Sequence, residues 1–177
     1  SPICAAIMGS VLVNSTNCLN LGKSDTLENL VVSRLCKVFN APFASVKTIT
    51  IEAASRVVFK ALTKRGDVVM SLDLRKKEHC NSETLAYRFV NFGIDPDTQE
   101  LNMDEIERLA NTHKPKLIIV SPVNYSLPIN FERFAKIAKA CGSLLWCDLS
   151  QTASLTAAGT LENPMKYADV VTFSTHG

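Results

Sequence analysis

Residues 116–148 read KLIIVSPVNYSLPINFERFAKIAKACGSLLWCD, and this segment decides the fold. Two apolar runs, 116–120 and 144–148, have the length of strands and are too uniformly apolar for a half-exposed sheet. Between them, residues 130–141 repeat their apolar side chains at helical spacing, and Gly142 follows as a stop signal. Apolar strands joined by a helix indicate a parallel sheet with helices on both faces. The segment therefore predicts an α/β fold.

The same alternation of strand and helix signals continues through the rest of the chain. We predict further strands over 46–51, 67–72, 87–92 and 170–173, and further helices over 1–13, 25–39, 52–64, 102–111 and 151–158. Asp25 and Asn102 are the expected N-caps of two helices, and Gly66 is the expected C′ residue of another. No repeat or linker interrupts the pattern, so residues 1–177 are predicted to form a single α/β domain, with a mostly parallel sheet.

Composition excludes several classes of protein. The 177 residues are 46% hydrophobic and 20% charged, which is typical of a globular protein. Nineteen basic and 17 acidic residues leave a net charge of +2, which argues against nucleic acid as a partner. No apolar run reaches the roughly 18 residues that span a bilayer, so no membrane contact is expected. The N-terminal stretch lacks the basic region of a secretory signal.

The six cysteines form no metal or redox motif. No CxxC pair is present, and no Cys/His group has zinc spacing, so we predict no metal site. Free thiols are typical of a reducing compartment, which indicates the cytoplasm or another such compartment, for example the mitochondrial matrix.

Two strand ends carry candidate site residues. Glycine-rich phosphate loops and hydrolase motifs are absent, so the site has to be sought at the carboxyl ends of the strands, where ligands bind in open α/β sheets. Asp148 ends one buried strand, and His176 lies just after another. A carboxylate there suits a cationic ring nitrogen. The alternative is structural: Asp148 or Ser150 caps the helix that begins near Gln151.

The residues around these candidates resemble a known family. The segment 147–159, followed by Asn163-Pro164 and by 167–176, is similar to serine hydroxymethyltransferase. Further similar landmarks lie in order along the chain at Ser1-Pro2 with 9–14, and at 62–74, 92–97 and 113–117. The family uses pyridoxal phosphate on a fold-type I scaffold and moves a one-carbon unit between serine and tetrahydrofolate. The resemblance implies the family's large domain in truncated form, without its small C-terminal domain.

The positions that serve catalysis in the family differ here. The family's Schiff-base lysine follows a Thr-His pair, whereas Thr175-His176 is followed by Gly177, which has no amine. The family's Ser-Gly-Ser phosphate turn corresponds to Thr50-Ile51-Glu52. A carboxylate there suits the helix terminus but repels a phosphate.

Other site positions are also replaced. In the family, a histidine that stacks on the cofactor ring lies in a loop that is shorter in this chain, and His79 is the candidate substitute. Gln151 stands at the position of a second family histidine. Thr16 and Cys18 stand at the positions of a family tyrosine and of the glutamate that acts as general acid and base. The glycine- and tyrosine-rich stretch expected near Gly22 is missing. Asp148 alone matches a family cofactor contact, with His176 as a remnant. We therefore predict that pyridoxal phosphate is not bound covalently by this chain.

Three hypotheses follow from the resemblance. The first is a catalytically degenerate family member that acts by protein binding, as a homodimer or as a heterodimer with a full-length relative. Its expected contact surface is apolar and N-terminal, formed by Ile3, Ala6, Ile7, Val11 and Leu12. The second is part of an active glycine hydroxymethyltransferase or related lyase whose lysine and C-terminal domain lie outside this chain. The third is a decaying fragment without a settled role.

Overall fold

The computed structural model describes residues 22–72, 86–122 and 125–175, with side chains described from Thr26 onward. Within these ranges the helices are α1 (Gly22–Phe39), α2 (Ile51–Leu62), α3 (Met103–His113), α4 (Phe131–Cys141) and α5 (Ala153–Ala157), with a 3₁₀ turn at Pro164–Lys166. The strands are β1 (Val68–Leu72), β2 (Arg88–Phe92), β3 (Leu117–Val120), β4 (Leu144–Asp148) and β5 (Val170–Thr172).

The five strands form one parallel sheet in the order β2-β1-β3-β4-β5. Every neighbouring pair is parallel, with Ile119 beside Trp146 and Asp148 beside Thr172. The carboxyl ends of all five strands consequently meet at one edge, here called the carboxyl edge. The predicted α/β fold with a parallel sheet is confirmed.

Helices cover both faces of the sheet. On one face, Val58 and Phe59 of α2 pack with Leu117, Ile119 and Trp146. On the other, buried side chains of α3 and α4 pack with alternate residues of the same strands, among them Ile106, Phe134, Ile118, Leu145 and Cys147. Because successive strand residues point to opposite faces, the uniformly apolar runs at β3 and β4 contribute side chains to the apolar cores on both faces of the sheet.

Several predicted helix ends are confirmed by their hydrogen bonds. The side-chain oxygen of Asn102 accepts from the Glu105 amide at 3.0 Å, and that of Asn130 accepts from the Arg133 amide at 2.9 Å. Gly142 ends α4 with a left-handed φ of 73°. These bonds satisfy amides that have no partner within their own helix.

Other predicted boundaries are wrong. Residues 46–50 form no strand and Ile51 already belongs to α2, because Thr50 caps that helix by accepting from the Ala53 amide at 3.1 Å. The same helix ends at Leu62 with Thr63 extended, so Gly66 belongs to the turn into β1 and is not a C′ residue. Helix α1 begins at Gly22, which places Asp25 inside the helix.

The helix predicted over residues 1–13 lies outside the described residues, as do His79, His176 and Gly177. The single-domain prediction for 1–177 stays a prediction for those parts of the chain. Among the helices that the structure describes, none is long and apolar enough to cross a membrane.

Candidate functional site

A row of polar side chains follows the carboxyl edge on the face that α2 covers. Register and alternation place Asn91, Ser71, Ser121, Asp148 and Thr172 on this face, one from the end of each strand. We call this set the polar row. Ser71 and Asn91 lie side by side, with Ser71 Oγ 3.4 Å from Asn91 Oδ1. Ser121 Oγ is buried and makes no hydrogen bond to another described residue.

Asp148 lies at the centre of a buried hydrogen-bond network. Its side chain is 1% exposed. Its Oδ1 accepts from the Ser150 amide at 3.1 Å, from the Ser150 hydroxyl, and from Thr172 Oγ1 at 3.5 Å. Thr172 Oγ1 in turn accepts from Trp146 Nε1 at 2.8 Å. A buried carboxylate needs such donors to offset its lost hydration, and the chain supplies them from two neighbouring strands and the turn after β4.

The alternative prediction, that Asp148 or Ser150 caps the helix beginning near Gln151, is wrong. Helix α5 begins at Ala153, and its N-cap residue Thr152 makes no side-chain capping bond. Asp148 and Ser150 therefore do not cap that helix. Asp148 instead fixes the turn between β4 and α5 through Ser150 and ties it to β5 through Thr172.

Trp146 connects this network to α2. It is the single tryptophan of the sequence and is fully buried. Phe59 of α2 packs edge-on against it, with ring centroids 5.4 Å apart. Because Trp146 precedes Asp148 by two residues on the same face of β4, α2 is held directly over the polar row.

The N-terminus of α2 carries an exposed carboxylate. Glu52 lies in the first turn, where the pKa of its carboxyl is lowered mainly by a hydrogen bond from its own backbone amide. The Thr50 hydroxyl and the positive charge of Arg56 lower this pKa further. Glu52 therefore places a negative charge at the N-terminus of α2, which is the end of a helix that attracts anions.

Cys147 is no nucleophile in this structure. It lies beside Asp148 but points to the opposite face of the sheet, among the α3 and α4 side chains. Burial raises the pKa of its thiol to about 12, and the neighbouring Asp148 carboxylate adds to the effect. The thiol stays protonated and packs as a small apolar group.

Sequence reasoning identified Asp148 but missed its partners. Ser150 was considered only as a helix cap, and Thr172 and Trp146 carried no motif, although Thr172 ends β5 and Trp146 lies two residues before Asp148 in β4. Asp148 is placed at the carboxyl edge as expected, whereas His176 falls outside the described residues and its proximity to Asp148 stays a prediction. Within the described ranges, no three His, Cys, Asp or Glu side chains come together as a metal site requires.

Comparison with known proteins settles the ancestry of this fold. The family model described as serine hydroxymethyltransferase matches residues 21–177. The chain belongs to the serine hydroxymethyltransferase family.

Curated serine hydroxymethyltransferases match most of this chain. The protein of Aromatoleum aromaticum is 39% identical over 158 residues, covering 86% of this chain and 38% of the relative. That of Paracidovorax citrulli is 36% identical over 193 aligned positions, covering 99% of this chain and 46% of the relative. The chain thus spans less than half the length of these relatives. Because 193 aligned positions exceed its 177 residues, the relative carries segments that this chain lacks.

The family depends on pyridoxal phosphate, and the described residues fit only one end of that group. Asp148 is a buried carboxylate at the carboxyl edge, a suitable acceptor for a protonated ring nitrogen. The turn over 50–52, which the sequence resemblance matches to the family's phosphate turn, does not fit. Ile51 brings a side chain where the family has glycine, and the Glu52 carboxylate repels a phosphate dianion.

Proposed function

We propose that this chain is a non-catalytic serine hydroxymethyltransferase-like protein that acts by binding a second family chain. The partner is a second copy of this chain, and a full-length relative is the alternative partner. The observation that carries the proposal is an exposed apolar surface on α1 and the segment after it.

This surface, here called the α1 surface, combines helical and irregular residues. Helix α1 turns one side toward the core, where Phe39 is buried and Leu35 is partly buried. Its other side exposes apolar residues at helical spacing: Leu27 is 45% exposed, Leu30 46%, Val31 38% and Val38 55%. In the segment that follows, Phe43 is 89% and Ile49 97% exposed. Exposed apolar residues of this kind typically mark a protein contact.

The composition of the site supports the non-catalytic part of the proposal. Glu52 opposes phosphate, and Gly177 supplies no amine at the position that corresponds to the Schiff-base lysine. Loss of a single group would only slow an enzyme, whereas these two serve separate requirements, cofactor binding and covalent attachment.

Light scattering tests the proposed association. We expect the wild-type chain to be a dimer, burying more than about 1,000 Å² between two copies. Leu30→Asp combined with Phe43→Ser should produce monomers, because a charge and a hydroxyl replace the apolar contact. The matched control is Ile94→Asp, since Ile94 is 43% exposed outside the α1 surface; this variant should stay dimeric. A wild-type monomer, both alone and after mixing with an active serine hydroxymethyltransferase, would refute the association.

A second candidate function rests on Asp148. Its buried carboxylate at the carboxyl edge is the residue that an active glycine hydroxymethyltransferase would need for the ring nitrogen. Under this hypothesis the chain is part of a longer enzyme. The test is the coding sequence beyond Gly177: an in-frame lysine and a C-terminal domain would support the enzyme, and an immediate stop codon would exclude it.

A further inference from the structure

The direction of α2 brings its N-terminus over the carboxyl edge. Residues 63–67 connect the helix directly to β1, so the helix runs antiparallel to the strands. At ~1.5 Å per residue its 12 residues span about 18 Å, close to the ~16 Å of the five-residue strand β1. The contact between Phe59 and Trp146 fixes the helix on the Asp148 face. The first turn of α2 and the polar row therefore share one edge of the molecule.

The anion at the first turn of α2 is the carboxylate of Glu52, a residue of the chain itself. Glu52 lies in the first turn of α2, where the pKa of its carboxyl is lowered mainly by its own backbone amide and next by the Thr50 hydroxyl. Thr50 Oγ1 accepts from the Ala53 amide at 3.1 Å. The amide of Ala53, which at a helix N-terminus would be available to a bound phosphate, is thus satisfied by the Thr50 side chain, and the Glu52 carboxylate lies in the same turn.

We propose that Glu52 is a built-in anion that replaces a ligand phosphate at the N-terminus of α2. Its carboxylate occupies the helix end and repels any second anion, so the edge rejects phosphate-bearing ligands. The helix terminus is satisfied without a ligand, which allows α2 to stay docked on Trp146 when no phosphate is bound. Substitution of Glu52 should remove this negative charge and create an anion site at the helix end.

This inference deepens the proposed loss of cofactor binding and rests on it for its biological meaning. Its measurable consequence, a response to inorganic phosphate, is independent of association. Failure of the phosphate test would leave the dimer result unaffected, and a monomeric protein could still show the phosphate response.

Thermal unfolding in phosphate, compared with chloride at matched ionic strength, tests the proposal. Trp146 fluorescence reports the transition, since this is the single tryptophan. We expect no phosphate-specific shift for the wild-type chain. For Ile51→Gly combined with Glu52→Ser, phosphate should raise the unfolding midpoint, because a ligand that binds only the folded state stabilises it.

A matched control separates this site from helix ends in general. Glu105 also lies in the first turn of a capped helix, α3, but the pKa of its carboxyl is lowered mainly by the hydrogen bond from Arg108. Glu105→Ser should therefore show no phosphate-specific shift. If it shifts as much as the double variant does, the response is a general property of helix termini and the proposal fails.

Glu52→Gln keeps the experiment decisive if the double variant does not fold. This substitution removes the charge and retains an acceptor for the helix amide. The proposal expects its midpoint to rise in phosphate, by less than that of the double variant. An equal response of wild-type and Glu52→Gln proteins, or no response of either folded variant, would overturn it.

Discussion

Asp148 shows how a cofactor-type residue is held by the protein itself. Its Oδ1 accepts from Ser150 and Thr172, and Thr172 accepts from Trp146. These bonds make the side chain part of the packing between β4, β5 and the turn toward α5. Its burial is therefore explained without a bound ligand.

Asp148→Asn tests this structural role. The asparagine oxygen retains an acceptor for Ser150 and Thr172, whereas the charge-assisted part of the bonds is lost. We expect the free energy of unfolding to fall by no more than about 1–2 kcal/mol, with association unchanged. Urea unfolding followed by Trp146 fluorescence measures the effect. Thr172→Val is the companion variant, because it leaves the buried Trp146 N–H without its acceptor and should also alter the native emission. Global unfolding of Asp148→Asn would show that the negative charge itself holds the edge together.

At the scale of elements, side-chain caps at the N-termini of α3 and α4 fix where these two helices begin. Asn102 and Asn130 cap two helices that pack beside each other, and an ion pair between Asp104 and Arg133 joins them at the surface. Exposed ion pairs contribute little to stability, so the caps and the buried faces dominate here. Phe131, Phe134 and Ile137 of α4 are all at most 5% exposed.

Asn130→Ala should destabilise the protein by about 1 kcal/mol, because the Arg133 amide loses its acceptor at the start of α4. Asn130→Asp is the matched control and should be close to neutral, since aspartate caps equally well. Chemical denaturation of the three proteins gives the comparison. A loss from Asn130→Asp as large as that from Asn130→Ala would mean that Asn130 has a role other than capping.

At the scale of the whole molecule, the chain combines the fold of its family with a site that we propose to be non-catalytic. The parallel sheet and its two helical layers follow the family over residues 21–177. Asp148 lies buried at the carboxyl edge of that sheet, and Glu52 lies in the first turn of α2. The fold and the site therefore give different indications about catalysis.

We expect no specific covalent attachment of pyridoxal phosphate to this chain. Incubation with the cofactor, reduction with borohydride and peptide mapping should find no stoichiometrically modified lysine, because Gly177 stands at the position that corresponds to the Schiff-base residue. A full-length serine hydroxymethyltransferase treated in parallel serves as the positive control. One lysine labelled to completion in this chain would contradict the prediction and favour the enzyme hypothesis.

Sequence alone predicted the described α-helices and strands in their order, with one additional strand over 46–51 that is not formed, because each signal is local. The apolar runs of β3 and β4 and the cap at Asn102 depend on near neighbours along the chain. Asp148 could be identified for the same reason, as the polar residue that ends an apolar strand.

Tertiary structure alone decided the partners of these elements. Thr172 lies 24 residues from Asp148 and meets it only through the β4–β5 register. Residues 46–50 have strand-like composition but pair with no strand, and Ile49 lies 97% exposed next to the Thr50 cap. The exposed side of α1 could not be read from its periodicity either, because a helical pattern gives the spacing of apolar residues and not the extent to which the rest of the molecule covers them.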